Sequence, residues 1–300
     1  MKICLVNKKF IFVSFLLIIF FILGILFVCR AYPDKIVSTF EPIDNSKEYI
    51  LDLDGDGIID SLKVIKNNSK PDVKITTNAK SYYLSDSCGN SFASTDFFPM
   101  KVYIFETIRN DTPIIAVQCN STINIFSWNK TKFSDLIKLN GNIFGILNSK
   151  NSKTPIYYAF TSSKGISTLN SYMLINEESL NVSKELNSID GISNILSFID
   201  LIEKNYEIED LPDIFSTTID TSNLALLFNL DKEHNTYSFQ SAFFYDEFFD
   251  EEDNPTEIKW RLSFEKFTKN GADSSKEEKI IYVSISKGED NSFKISNISL

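Results

Sequence analysis

Asp52-Leu53-Asp54-Gly55-Asp56-Gly57-Ile58-Ile59-Asp60 is the stretch around which this 300-residue chain is organised. Its four aspartates occupy positions 1, 3, 5 and 9 of a calcium-loop pattern, and Gly57 occupies position 6, where the backbone must turn sharply. Alternate side chains of such a loop can point at one centre. Because neighbouring carboxylates repel one another and oxygen ligands favour hard cations, this spacing predicts a calcium site.

The predicted ligands are oxygen atoms of one continuous loop: the carboxylates of Asp52, Asp54, Asp56 and Asp60 and the backbone carbonyl of Ile58. Position 12 is Lys63, where a helix–loop–helix EF-hand has a bidentate Glu, so Asp60 would supply the last carboxylate. The flanking residues 49–51 and 62–65 are rich in β-branched and aromatic side chains. The sequence therefore predicts a strand–loop–strand site.

The letters of residues 52–64, DLDGDGIIDSLKV, resemble the calcium loop of FG-GAP/VCBS-type repeats. Repeats of this family form the β-propeller blades of integrin α-subunits and occur in many bacterial surface proteins. The resemblance implies that the four acidic residues and the position-7 carbonyl bind the ion.

The same stretch also resembles the first motif of haloacid-dehalogenase-type phosphatases, DxDGT. That resemblance implies Asp52 as the nucleophile and Asp54 as the acid/base. However, Asp56 stands where the motif has Thr, and a β-type run follows where the Rossmann-like fold has a helix. This alternative predicts a parallel sheet around Asp52.

Composition restricts the function further. A net charge of −10 argues against a nucleic-acid partner, which would favour a basic surface. The only histidine, His234, excludes triads that need a second His and most zinc sites. There is no CxxC pair, and the spacing of Cys88 and Cys119 is compatible either with a disulfide or with two buried thiols.

The N-terminal part predicts a membrane anchor. Three lysines precede an uncharged apolar run over residues 10–29, which has the length of a bilayer-spanning helix. Cys29-Arg30-Ala31 is a poor signal-peptidase site. We therefore predict a cytoplasmic stub (1–9), a transmembrane signal anchor (10–29) and a tether (30–45), which gives a single-pass cell-membrane protein with its C-terminal part extracytoplasmic.

Residues 46–187 predict a β-rich, FG-GAP/VCBS-like domain with blade-like antiparallel units. Turns that begin at Asn78, Asn129 and Asn176 are each followed four residues later by an apolar side chain. Each unit offers about four strands, such as 101–106, 113–118, 122–128 and 132–138 in the second. Only the first loop keeps its carboxylates. Three units fall short of a closed propeller, so an open stack or a sandwich-like arrangement is also compatible with the pattern.

Residues 188–300 predict a separate α+β domain, similar in element order to cystatin-like or NTF2-like domains. Apolar spacing predicts helices over 192–206 and 221–230, followed by strands over 238–249, 257–267, 279–285 and 292–298. The acidic run 246–253 is interpreted as a solvated hairpin tip. The predicted fold class is thus mainly β plus α+β, with a transmembrane helix and a propeller-like domain.

The expected function is that of a membrane-anchored, extracytoplasmic, calcium-binding interaction or structural protein of the cell envelope. Its calcium would be structural, it would not be an enzyme, and its partner would be an envelope protein or polysaccharide. Two alternatives stay open: the phosphatase, and a ligand-binding envelope sensor whose C-terminal domain would enclose an apolar pocket with a few polar groups.

Overall fold

Sixteen strands and three helices are present in the part of the chain that the computed structural model describes, residues 40–300 without 68, 79, 90–91, 96, 107–111, 163–168, 176–177, 185–187, 206–210 and 271–272. The strands are β1 (Glu48–Leu51), β2 (Asp60–Asn67), β3 (Lys70–Thr76), β4 (Ser81–Tyr83), β5 (Lys101–Phe105), β6 (Ile114–Cys119), β7 (Thr122–Trp128), β8 (Phe133–Asn140), β9 (Ile143–Leu147), β10 (Ile156–Phe160), β11 (Asn170–Ile175), β12 (Glu178–Asn181), β13 (Asn235–Phe249), β14 (Pro255–Asn270), β15 (Asp273–Lys287) and β16 (Phe293–Ser299). The helices are α1 (Leu84–Cys88), α2 (Ile192–Glu203) and α3 (Thr221–Phe228).

The strands form three sheets. Two are four-stranded antiparallel meanders in the orders β1-β2-β3-β4 and β5-β6-β7-β8. The third has eight strands in the order β12-β11-β10-β9-β13-β14-β15-β16. All of its neighbours are antiparallel except β9 and β13, which run parallel from Ile143 opposite Ala242 to Ile146 opposite Tyr245.

The predicted fold class is wrong in its architecture. The first two predicted units are the two meanders, but the third, β9 to β12, joins β13 to β16 in one sheet, and the described residues contain no closed propeller or barrel. The eight-stranded sheet thus replaces a propeller-like domain followed by a cystatin-like or NTF2-like α+β domain. The physical reason is β9, which is buried along its whole length and therefore needs a strand on each edge and cover on each face.

A glycine allows this junction to pack closely. A Cβ atom added to Gly145 in β9 would lie 2.3 Å from ring atoms of Phe244 in β13. Phe244 is itself fully buried and stacks on Trp260 of β14 with 4.3 Å between ring centroids. The parallel pairing therefore depends on the absence of a side chain at this position.

The two faces of the eight-stranded sheet have different cover. One face, through side chains such as Phe144 and Phe243, packs against the β5–β8 meander. The other face, through Phe244 and Trp260, packs against the helices. The two predicted helices are observed as α2 and α3. The spacing predicts an apolar face of Ile195, Leu196, Ile199 and Ile202 on α2; Ile195, Ile199 and Ile202 are buried together with Phe198 and Leu201, and Leu196 is only partly buried.

No helix among the described residues is long and apolar enough to cross a membrane. This finding goes against the predicted transmembrane helix, the single-pass anchor and the cell-membrane localisation. The segments on which those predictions fall, residues 1–9, 10–29 and most of 30–45, lie outside the described residues.

Candidate metal centre

The acidic loop joins β1 to β2 as an antiparallel hairpin in which Leu51 pairs with Asp60. Leu53 is fully buried and fixes the start of the loop to the core. Gly55 and Gly57 have φ of 76° and 80°, a left-handed conformation that side-chain-bearing residues rarely adopt. The predicted strand–loop–strand arrangement is therefore present.

Backbone amides of the loop turn its carboxylates toward their own chain. The two Asp52 carboxylate oxygens accept from the amides of Gly55 at 2.7 Å and Gly57 at 2.9 Å. Asp54 Oδ1 accepts from the Asp56 amide at 3.2 Å. These bonds close short turns and hold the loop in a tight curve.

Asp60 begins β2 and is 2% exposed. Its Oδ2 accepts from the amides of Leu53 at 2.9 Å and Asp54 at 3.3 Å. Its Oδ1 is also buried, and no donor among the described residues reaches it. A buried carboxylate oxygen without a partner is unfavourable unless a proton or a cation neutralises it.

Three of the four predicted carboxylates meet. One oxygen each from Asp52, Asp54 and Asp60 lies within 4.8 Å of the others. Asp56 is outside this group; its Oδ1 accepts from the Ile58 amide at 2.7 Å instead. The Ile58 side chain is exposed, as expected for a residue that would bind through its carbonyl. In the described part of the chain, no other group of three His, Cys, Asp or Glu side chains is so close.

The electrostatics of the group disfavour negative charge. Burial raises the pKa of Asp60 above its ordinary value, and the charges of Asp54 and Asp52 raise it further, against the opposing effect of the amide hydrogen bonds. Burial also raises the pKa of Asp54, and Asp56 and Asp52 add to that effect. A cation among the three carboxylates would remove all of these penalties at once, so the residues present fit a hard divalent ion with oxygen ligands.

Of the two other predicted loops, only residues 148–155 are described throughout, and they contain no such carboxylate group. Most of residues 106–113 lies outside the described residues. In residues 148–155, Lys153 donates to Asn254 Oδ1 at 2.8 Å, and Lys150 lies 3.9 Å from Glu247. Lys153 therefore ties this loop to the β13–β14 turn, and Lys150 pairs with the end of β13.

Sequence reasoning missed Asp246. The sequence predicts a solvated hairpin tip over residues 246–253, but Asp246 lies inside β13 and is fully buried, whereas residues 250–254 form the turn. Asp246 Oδ2 accepts from the Asn148 amide at 2.5 Å. The alternation of the preceding strand residues is the signal that could have revealed it, since Ala242, Phe244 and Asp246 share one face.

The alternatives receive less support from the geometry. The phosphatase requires a parallel sheet around Asp52, but β1 and β2 are antiparallel. The ligand-binding sensor requires a pocket, and a cavity of about 210 Å³ does lie beside Ile156, Tyr158, Asp190 and Ile258. It is smaller than the roughly 300–1,000 Å³ of typical small-molecule sites.

No family model matches the chain, and neither curated proteins nor solved structures give a match. The resemblance to FG-GAP/VCBS-type repeats therefore stays a prediction that residues 52–64 carry alone.

Proposed function

We propose that this protein is a calcium-binding structural module in which the ion locks the β1–β2 hairpin and no catalysis takes place. The observation that carries the proposal is the Asp60 carboxylate, whose buried Oδ1 has no hydrogen-bond donor among the described residues. The same carboxylate lies close to those of Asp52 and Asp54. Asp52, Asp54 and Asp60 would hold the ion, and Asp56 and the Ile58 carbonyl would be further oxygen donors from the same turn. Bound calcium supplies positive charge that neutralises the group, while the chain orients the oxygens.

The expected stabilisation is modest. For a dissociation constant of about 0.1 mM, the tight end of the range of weak calcium modules, about 1 mM calcium stabilises the folded state by about 1.4 kcal/mol. For a chain of this size the melting midpoint should rise by about 2–3 °C.

The test is thermal melting of the full chain at neutral pH in calcium, in magnesium and in chelator, with calcium affinity measured by calorimetry. Asp60→Asn is nearly isosteric and keeps an oxygen for the Leu53 amide. Because Asp60 has a raised pKa, its ionised form is unfavourable without the ion, so the variant in chelator should melt at or above the wild type. It should not respond to calcium.

Asp86→Asn is the matched control, since Asp86 is an exposed aspartate in α1, outside the loop. It should keep the full response to calcium. The proposal fails if the wild type does not respond to calcium, or if Asp60→Asn responds as strongly as the wild type.

A further inference from the structure

Cys88 and Cys119 meet at one small cavity although they lie far apart in the sequence. Cys88 is the last residue of α1, and Cys119 is the last residue of β6. Both line a cavity of about 120 Å³, together with Phe92, Asn124 and Lys138 among others. The two cysteines, 31 residues apart in the sequence, therefore border the same small space.

The two sulfur atoms also influence each other electrostatically. Burial raises the pKa of the Cys119 thiol to about 12, and the nearby Cys88 contributes to this rise. Cys119 is 5% exposed, whereas Cys88 is only partly buried. A small reagent from solvent therefore reaches Cys88 first, and Cys119 becomes reactive only toward a group already held in the cavity.

The backbone at both positions leaves its regular element. Gly89 follows Cys88 with φ of 66° and ends α1, and Asn120 follows Cys119 with φ of 55°. Cys119 pairs with Thr122 at the very end of the β6–β7 ladder. Each cysteine therefore lies at the end of its element and not in the interior of a helix or sheet.

We propose that Cys88 and Cys119 form a reversible disulfide by exchange with a low-molecular-weight disulfide. The Cys88 sulfur attacks one sulfur of the reagent, which gives a mixed disulfide and releases one small thiol. Cys119 then attacks the Cys88 sulfur, its proton passes to the departing small thiolate, and the second small thiol is released. Two protein thiols are oxidised, and one small disulfide is reduced to two thiols. The bond ties α1 to β6 and closes the cavity.

The experiment uses the full chain with Cys4→Ser and Cys29→Ser, so that only the two thiols in question remain. After incubation with oxidised glutathione, the monomer should lose both titratable thiols and about 2 Da of mass. Peptide mapping should find Cys88 joined to Cys119. The melting midpoint should rise by about 5–10 °C, because the bond restricts the unfolded chain, and dithiothreitol should reverse the change.

Cys119→Ser in the same background is the control. It should stop at a stable glutathione adduct on Cys88, with a mass gain of about 305 Da and no comparable rise in the midpoint. The proposal is overturned if the two-cysteine parent stops at the same adduct, if both of its thiols stay unreacted, or if the disulfide joins two molecules. None of these results depends on calcium, so the outcome is independent of the acidic loop.

Discussion

Replacement of Asp246 by asparagine should change the pH dependence of stability. The Asp246 carboxyl group is fully buried, and no donor among the described residues reaches its Oδ1. Burial raises its pKa from 3.8 to about 6, against the opposing effect of the Asn148 amide bond. The folded protein therefore holds a proton at this position under mildly acidic conditions, where the unfolded chain has already lost it.

The magnitude follows from that difference. One pKa unit corresponds to about 1.4 kcal/mol, so ionisation of the folded state at Asp246 costs about 3 kcal/mol. Well below pH 3.8 the group is protonated in both states and costs nothing. The free energy of unfolding then falls as the pH rises from about 4 to about 6, and the loss is complete above this window. Asparagine has the same shape without the charge, so it removes this pH-dependent part.

The assay is denaturant unfolding of the wild type and Asp246→Asn at pH 4.0 and pH 7.5 in chelator. The stability of the variant relative to the wild type should increase by about 2.4 kcal/mol between the two pH values, because about 0.6 kcal/mol of the cost is already present at pH 4.0. Asp250→Asn is the control with the opposite sign, because hydrogen bonds from Asn254 lower the pKa of the half-buried Asp250. A relative stability of Asp246→Asn that is the same at both pH values would refute the reasoning.

Two further substitutions test the packing. Gly145→Ala places a methyl group 2.3 Å from ring atoms of Phe244 and should lower the free energy of unfolding in urea by about 2–3 kcal/mol. In the control Gly57→Ala, the added Cβ meets no atom within 4 Å, so the free energy of unfolding should fall by only about 1 kcal/mol, through the φ of 80°. Equal losses would contradict the close approach of β9 and β13. Asp72→Ala removes a buried carboxylate that accepts from the Val73 amide and from Ser85 at the start of α1. In the same urea unfolding series it should lower the free energy of unfolding by about 3 kcal/mol, and Ser85→Ala by about 1 kcal/mol. A loss for Asp72→Ala no larger than that for Ser85→Ala would contradict this role.

The sequence predicted the parts of the structure that depend on neighbouring residues. The acidic loop, its hairpin and the two helices each follow from spacing within a short window, and all are present. The grouping of the Asp52, Asp54 and Asp60 carboxylates also follows from local spacing, because alternate residues of one loop direct their side chains to the same side. The position of Asp56 outside the group depends on side-chain orientation, which spacing alone does not determine.

The pairing of β9 with β13 could not be predicted in the same way. Its partners are held together by contacts between distant segments, such as Gly145 with Phe244. The continuous apolar run of β9 does indicate a strand covered on both faces, but it does not identify the neighbour. The burial of Asp246 has the same origin, because its hydrogen-bond donor, the Asn148 amide, comes from the loop after β9.

The β9–β13 junction also sets an order of events during synthesis. Ile143 pairs with Ala242, so β9 leaves the ribosome roughly 100 residues before its partner, which at about 5–20 residues per second is a delay of about 5–20 s. During this interval one edge of a fully apolar strand has no neighbour and can pair with other nascent chains. Production of soluble protein should therefore improve when translation is not slowed between β12 and β13 and when chaperones that cover apolar strands are abundant.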